Sequence, residues 1–459
     1  MSAPAKAPAL RSVEEAVETI LAAIPRPLPA EAVSPERAVG RFLASAAVAR
    51  IDLPPWDNSA MDGYALRAVD TTGATDASPV AFRVIGEVRA GEVSQVAVGP
   101  GTALRIATGA PLPQGADAVV PVELTSVLDA DGRPAGPPGL PLRDAAGPLP
   151  AGVTVHAHVA VGGSVRARGS DLRAGHEVLA AGIAMTPAAV ALAAGAGIDA
   201  VAVHRRPRVA VLATGDEIRA AGQELGPAGI PDANGPGLRA LVEAAGAKPV
   251  DLGIARDRLD DVESRLRRAL AEADVVIVSG GVSVGPYDVV RSAFEAIGRV
   301  DLWRVAVQPG KPFAFGVAER PASVGDGTRA GRALPPVLLF GLPGNPVSTA
   351  VTFELFVRPA LRKLSGGSPA SDSDDRGILR EPVSKSHGRR AYIRVVVDRY
   401  PGGRVRRDDG GRLSLRLAGG QGSHVLSALA AADALAIVPE ELDELPAGAE
   451  VAVHWLGRG

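Results

Sequence analysis

The sequence of 459 residues contains no cysteine. Disulfide bonds, thiolate metal sites and cysteine nucleophiles are therefore excluded together, and the composition fits a reducing compartment. The chain also lacks an excess of charge of either sign. Its 49 lysine and arginine residues oppose 51 aspartate and glutamate residues, which leaves a net charge of −2. A chain this close to neutral provides no bulk electrostatic field for nucleic acid or for an anionic membrane.

Long hydrophobic runs are absent as well. No run of 18 apolar residues occurs, and the first ten residues, rich in alanine and proline, lack the continuous apolar region of a signal peptide. We therefore predict a cytoplasmic, soluble protein that binds neither nucleic acid nor membrane. Lysine is scarce, with five among the 49 basic residues. We attribute this bias towards arginine to genome composition.

Three glycine-rich segments each follow a short apolar run: Thr214-Gly-Asp-Glu217, Ser279-Gly-Gly-Val-Ser-Val-Gly285 and Gly341-Leu-Pro-Gly-Asn-Pro-Val-Ser348. The preceding runs are β-branched or aliphatic, which is typical of strands buried on both faces of a parallel sheet. The carboxyl ends of such strands meet at one edge, where ligands bind in open α/β sheets. Because glycine lets backbone amides approach a phosphate closely, the segments predict an anionic ligand.

The length is too great for one core and indicates three or four domains at roughly 100–150 residues each. We predict a multidomain α/β protein. Its parts are an N-terminal helical and mixed domain (1–50 with 165–205), an inserted β-rich domain (51–164), a three-layer α/β domain (206–370) and a small C-terminal β-barrel-like domain (371–459). We also predict a helix near 34–45, an exposed loop at 129–150 and a flexible insertion at 319–336.

One further segment, 54–65, has the composition of a functional loop. Two prolines precede Asp57, Asn58, Ser59 and Asp62. A buried helix or strand would not need so many small polar groups. The segment therefore predicts a constrained loop that displays carboxylates.

Taken in order, these segments resemble the motifs of the molybdopterin molybdenumtransferases, the MoeA family, whose relatives include the E domain of gephyrin. The resemblance extends over nearly the whole chain. It rests on seven motifs: 57–65, Thr108-Gly-Ala-Pro111, Arg168-Gly-Ser-Asp171, 214–217, 279–285 with Asp288, Pro309-Gly-Lys-Pro312 and Gly341-Leu-Pro-Gly-Asn-Pro346. It implies an elongated homodimer of four-domain subunits that inserts molybdenum from molybdate into adenylylated molybdopterin and releases AMP in a step that requires Mg²⁺. The 206–370 domain would bind the molybdopterin, and a molybdopterin adenylyltransferase would be the pathway partner.

The resemblance also implies site residues. The family's functional acidic positions and the matching threonine would be catalytic, and they are Asp62, Thr108, Asp171, Glu217, Asp257 and Asp288. Three of them, Glu217, Asp257 and Asp288, would hold the metal. The substrate-binding positions would be Ser279, Gly280, Gly281, Ser283, Gly285, Arg304, Gln308, Lys311, Gly341, Pro343, Gly344, Asn345, Pro346 and Ser348. Asp62 and Thr108 would come from the partner subunit.

The chemistry of such substrates agrees with these residue types. Molybdopterin carries a phosphate, adenylylation adds a phosphoanhydride, and molybdate is a dianion. Backbone amides of 279–285 and the start of the helix after Asn345 would form anion cradles. Carboxylates suit Mg²⁺, which prefers oxygen ligands and neutralises phosphoryl charge. The sequence does not divide metal ligation from acid–base work among them.

Alternatives remain open. Each acidic residue taken singly could cap a helix or occupy a solvated turn, and glycine turns are common after strands. The chain could also be a non-catalytic molybdopterin-binding scaffold, or the adenylyltransferase that makes the precursor. One departure from the family pattern is Gln308, where some relatives carry lysine; Arg304 retains the charge at its own position, and Lys311 is a compact ammonium in an arginine-biased chain.

Overall fold

The computed structural model describes residues 10–129, 131–139, 149–281, 289–321, 334–369 and 375–457. Ser283, Gly285 and Asp288 lie outside the described residues, as do most of the insertion at 319–336 and part of the 129–150 segment. Among the described residues, no helix is both long enough and apolar enough to cross a membrane.

The chain's first helix, Val13–Ala22, begins with a complete capping box. Ser12 Oγ accepts from the Glu15 amide at 3.1 Å, and Glu15 Oε2 accepts from the Ser12 amide at 3.0 Å. Its apolar face, including Ile20, belongs to the core of the α/β domain. Within that core, the helix packs against the helical segment 346–364.

The N-terminal mixed domain joins residues far apart in sequence. Strand Ala30–Val33 pairs antiparallel with Val201–His204, and Ala47–Val48 pairs with Glu177–Leu179 beside the helix Pro187–Gly195. The prediction of a helix near 34–45 is wrong. Only a 3₁₀ turn, Pro35–Ala38, forms there, because the amides of Gly40 and Leu43 donate to carbonyls of the 183–185 segment.

The inserted domain is a six-stranded sheet with a core on each face. One pair, Val80–Val88 with Thr102–Ile106, is parallel, and the others are antiparallel. The remaining strands are Gly63–Leu66, Ala118–Pro121, Thr125–Val127 and Gly152–Val155.

The α/β domain has a central six-stranded sheet. Its order is Lys248–Ala255, Arg208–Thr214, Val275–Ser279, Val337–Leu342, Ala314–Ala318 and Arg299–Trp303. The first four strands are parallel, as predicted. Ala314–Ala318 pairs antiparallel with the fourth strand and Arg299–Trp303 pairs antiparallel with Ala314–Ala318; the sequence pattern indicated neither strand. Helices cover both faces and confirm the three layers. Asn234–Ala244 and the continuous helical segment 346–364 cover one face, and Leu259–Glu272 and Val289–Ile297 cover the other.

The C-terminal domain is a closed five-stranded barrel, as predicted, because its first and last strands also pair with each other. The strands are, in barrel order, Arg390–Val397, Leu413–Leu417, Arg376–Leu379, Glu450–Trp455 and Ala434–Val438. Closure leaves no free edge among them. A short strand of the α/β domain, Val307–Gln308, pairs parallel with Arg390–Ala391 and joins the two domains.

Candidate functional site

The three glycine-rich segments meet at one edge of the α/β sheet. Thr214, Ser279 and Leu342 are the last residues of three adjacent parallel strands. Their loops are joined by hydrogen bonds: Thr214 Oγ1 donates to Ser279 O at 3.5 Å, Ser279 Oγ to Pro343 O at 3.4 Å, and the Gly280 amide to Leu342 O at 3.2 Å. This arrangement confirms the predicted convergence, and we name it the strand-edge site.

Gly280 shows why this loop requires glycine. Its φ of +96° lies in the region that favours glycine, and a Cβ there would lie 2.5 Å from Thr214 O. The two loops therefore approach each other by backbone contact. Any larger residue at this position would separate the ends of the two strands.

Carboxylates cluster beside these loops. Asp216 and Glu217 follow one strand and Asp257 follows the next, and the Asp257 amide donates to Asp216 Oδ1 at 3.4 Å. Partial burial raises the pKa of the Asp257 carboxyl, and the negative charges of Asp216 and Glu217 raise it further. Within the described ranges, no group of three or more acidic or histidine side chains is placed to hold a metal ion. Asp288, the third predicted metal ligand, lies outside those ranges.

The 304–312 segment also lies at this edge, next to the last two strands in the order of the sheet. It joins the antiparallel strands, whose ends Trp303 and Ala314 are paired with each other and level with Gly341. Gly310 lies against the helical segment 346–364, since a Cβ there would lie 2.6 Å from Thr352 Cγ2 and 3.8 Å from Ser348 O. Arg304, at the start of the segment, has a φ of +79°, which is strained for a residue with a side chain.

Gln308 and Lys311 have different environments within this segment. Gln308 Oε1 accepts from the Ser386 amide of the barrel at 3.1 Å. Because that backbone N–H needs an acceptor, the contact fixes the orientation of the amide, and the side-chain NH₂ faces away from Ser386. Lys311 is exposed.

The start of the helical segment 346–364 is partly occupied by the barrel. Pro346 has no amide proton, and the Val347 amide donates to Ser423 O at 3.2 Å. Asn345 Nδ2 donates to Ser423 Oγ at 2.9 Å. The predicted anion cradle therefore has fewer free amides here than a bare helix start would offer. Ser423 and Ser386 were not predicted; the glycine-rich run 419–422 marks a loop but not its partner.

The N-terminal motifs form a second cluster. Asp62 Oδ1 accepts from the amide and hydroxyl of Thr108 at 2.7 and 2.9 Å. The Arg168 amide donates to Asp57 Oδ1 at 2.7 Å, and the Asp171 amide donates to Leu53 O at 3.0 Å. Three motifs separated by 46 to 111 positions thus come together at the junction of the mixed and inserted domains. In the described part of the chain, no hydrogen bond of Asp62 or Thr108 reaches the α/β domain.

Fold and site together define a class: a multidomain protein whose α/β domain presents glycine loops, carboxylates and a basic segment at one sheet edge. Comparison with known families agrees domain by domain. Residues 11–197 match the MoeA N-terminal region (domain I and II), 210–363 a probable molybdopterin binding domain, and 376–456 the MoeA C-terminal region (domain IV).

Individual relatives cover the same length. The chain is 36% identical to molybdopterin molybdenumtransferase 2 of Mycobacterium tuberculosis, over 97% of this chain and 99% of that protein. It is 31% identical to molybdopterin molybdenumtransferase of Haemophilus influenzae, over 97% and 100%. The crystal structure of a molybdopterin biosynthesis MoeA protein from Pyrococcus horikoshii superposes with a TM-score of 0.73 at 30% identity, over 98% of this chain and all of that one. The chain belongs to the MoeA family.

Proposed function

We propose that this protein is a molybdopterin molybdenumtransferase, which acts in molybdenum cofactor biosynthesis. It inserts molybdenum from molybdate into adenylylated molybdopterin and releases AMP. The observation that carries the proposal is the meeting of segments 214–217, 279–281, 304–312 and 341–348 at one sheet edge. The name of the transferases from M. tuberculosis and H. influenzae supports it.

The residues of the edge suit the anionic substrates. Gly280 and Gly281 bring backbone close to a bound phosphate, and Lys311 supplies an exposed cation on the facing segment. Molybdate, a dianion, would bind beside Lys311, Arg304 and Gln308. The strained backbone of Arg304 agrees with a functional position, because strain of this kind clusters at ligand sites.

The acidic loops carry the carboxylates proposed for a divalent cation, a set that the described residues alone do not complete. Partial burial, and after it the negative charges of Asp216 and Glu217, raise the pKa of the Asp257 carboxyl, and a cation would relieve the repulsion between these charges. Glu217, Asp257 and Asp288 would hold Mg²⁺, with substrate oxygens completing its ligands. When bound, Mg²⁺ neutralises phosphoryl charge.

A second copy of the chain would complete the site. Among the described residues, the Asp62 and Thr108 cluster forms hydrogen bonds only within the N-terminal half, whereas the strand-edge site has the loops proposed to bind substrate. We propose a homodimer in which Asp62, Thr108 and Asp171 of one subunit face the strand edge of the other. The reaction would take place in the cytoplasm, with a molybdopterin adenylyltransferase supplying the substrate.

The test is to incubate the purified protein with adenylylated molybdopterin, Mg²⁺ and molybdate and to measure AMP. AMP release that depends on molybdate supports the transferase. Binding of the substrate without turnover would indicate a scaffold. In a second incubation with molybdopterin and ATP, synthesis of the adenylylated precursor would indicate the adenylyltransferase. Glu217→Gln should reduce molybdate-dependent release by about 10²-fold or more.

A matched control for Glu217→Gln is Glu224→Gln. Glu224 is an exposed acid seven positions further along the chain and has no place in the proposed site. The control should keep normal turnover, and both variants should unfold at the same temperature as the parent. Near-normal turnover of Glu217→Gln would mean that this carboxylate is structural.

A further inference from the structure

Arg394 is a buried cation that forms no ion pair with any residue the structure describes. It lies in the barrel strand Arg390–Val397, and its side chain is 0% exposed. Nη2 donates to the carbonyls of Gly420 and Gly422 at 2.9 and 3.1 Å, and Nε and Nη1 have no partner among the described protein atoms. Burial lowers the pKa of the guanidinium, with no carboxylate opposing this effect. An apolar side chain would fill such a position at less cost, so stability alone does not account for it.

The backbone of Arg394 is bound to the same loop. Its amide donates to Gln421 Oε1 at 3.0 Å, and Gln421 Nε2 donates to its carbonyl at 3.1 Å and to Gly419 O at 3.0 Å. The loop contains three glycines, 419, 420 and 422, and would have much conformational freedom without these bonds. We call Arg394 and Gln421 the loop clamp.

The residue that follows the clamped loop contacts the strand-edge site. Ser423 O accepts from the Val347 amide, and Ser423 Oγ accepts from Asn345 Nδ2. The Asn345 side chain makes no capping bond to its own helical segment, so Ser423 is what holds it. The position of the loop therefore sets the position of the Asn345 side chain, which is proposed to bind substrate.

We propose that Arg394 and Gln421 are positioning residues, which fix the 419–423 loop so that Ser423 holds Asn345 and Val347 in place at the strand-edge site. The kinetic consequence rests on the proposed function; the structural consequence does not. Loss of the clamp should release the contact of Ser423 with Asn345 and Val347 while the barrel strands remain folded.

The structural test is hydrogen–deuterium exchange, resolved to the Val347 amide by mass spectrometry with fragmentation. In Arg394→Met and in Gln421→Ala, exchange at Val347 should become about tenfold faster, while the barrel strand Ala434–Val438 keeps its protection. Arg394→Lys should give a smaller increase, because an ammonium still donates to the loop carbonyls. The matched control is Arg380→Met, since Arg380 is a barrel arginine that donates to Ser414 Oγ and not to this loop; it should leave Val347 unchanged.

The outcomes decide the proposal in each case. If Arg394→Met does not fold, Gln421→Ala decides alone. The proposal is overturned if exchange at Val347 is unchanged in the folded clamp variants. It is also overturned if exchange becomes faster in the barrel strands as well as at Val347, because the two residues would then only stabilise the barrel.

The kinetic test uses the AMP assay. The clamp variants should raise the half-saturating concentration of adenylylated molybdopterin about fivefold, with kcat within about twofold of the parent. A purely structural role would instead lower kcat through loss of active protein and leave half-saturation unchanged, which overturns the kinetic part. If the parent protein releases no AMP, the proposed function fails, while exchange at Val347 still decides the role of the clamp.

Discussion

Replacing Gln308 by lysine tests whether the 304–312 segment binds molybdate. At an effective dielectric near 20, a charge about 4 Å from one anionic charge contributes on the order of 4 kcal/mol before desolvation. Desolvation and solvent screening reduce this to ~1 kcal/mol, which is a factor of roughly five in affinity. Gln308→Lys should therefore lower the molybdate concentration for half-maximal AMP release several-fold, and the effect should weaken as salt rises.

Gln308→Lys also removes a hydrogen bond, and the effect of that loss must be separated from the effect of the added charge. Gln308 Oε1 accepts from the Ser386 amide, and lysine has no acceptor. Loss of that bond costs about 1 kcal/mol at most, because the site is only partly buried. Gln308→Met loses the same bond without adding charge and is the matched control. We expect it to leave the half-maximal molybdate concentration unchanged or to raise it slightly.

The assay titrates molybdate against the parent, Gln308→Lys, Gln308→Met and Lys311→Ala at two ionic strengths. Lys311→Ala should raise the half-maximal concentration sharply. If it leaves the molybdate dependence unchanged, the oxyanion binds elsewhere and this assignment of 304–312 fails. Equal shifts in Gln308→Lys and Gln308→Met would show that packing against the barrel, and not charge, sets the effect.

Three further predictions follow from the site and the fold. Mixing Asp62→Ala chains with Glu217→Gln chains, after subunit exchange, should restore part of the activity, because one site of the mixed dimer is intact; no rescue in a demonstrated heterodimer would place both residues in one subunit's site. Mg²⁺ should lower the pKa of Asp257 in an NMR titration, since a cation offsets the raised value, and an unchanged pKa would place the metal elsewhere. Asp274 is 2% exposed and is bound by Arg205 and Arg320, which hold the pKa of its carboxyl below its usual range despite burial. The contribution of this ion pair to the free energy of unfolding is thus present above about pH 4 and is lost as the pH falls through the lowered pKa. Asp274→Asn should cost about 3 kcal/mol of unfolding free energy at pH 7 and less in acid, whereas a cost independent of pH would exclude the ion pair as its source.

Much of the α/β domain could be predicted from local pattern. The runs ending at Thr214, Ser279 and Leu342 are strands, and helices follow them as the alternation indicated. A strand buried on both faces can only be continuously apolar, and parallel strands must end at one edge. The edge and its glycine loops were therefore accessible from sequence. Gly280 illustrates this: its glycine is visible in the sequence, and the structure shows the reason, because a Cβ there would collide with the Thr214 carbonyl.

Contacts between distant residues were not accessible in this way. The N-terminal helix shows an apolar face in its sequence, but that pattern does not say that the face packs on the α/β domain. Likewise the strands Arg299–Trp303 and Ala314–Ala318 are short and antiparallel, and only their pairing brings 304–312 to the strand edge.

The sequence by itself determined which residues could serve the chemistry and which ends of the strands would carry them, because periodicity and backbone sterics act over a few residues. The tertiary structure alone decided that Ser423 contacts Asn345 across 78 positions, that the Ser386 amide binds Gln308, and that Thr108 binds Asp62. Such contacts depend on how whole domains close upon one another. The free energy of that closure is a sum over many packed surfaces, and no local pattern records it.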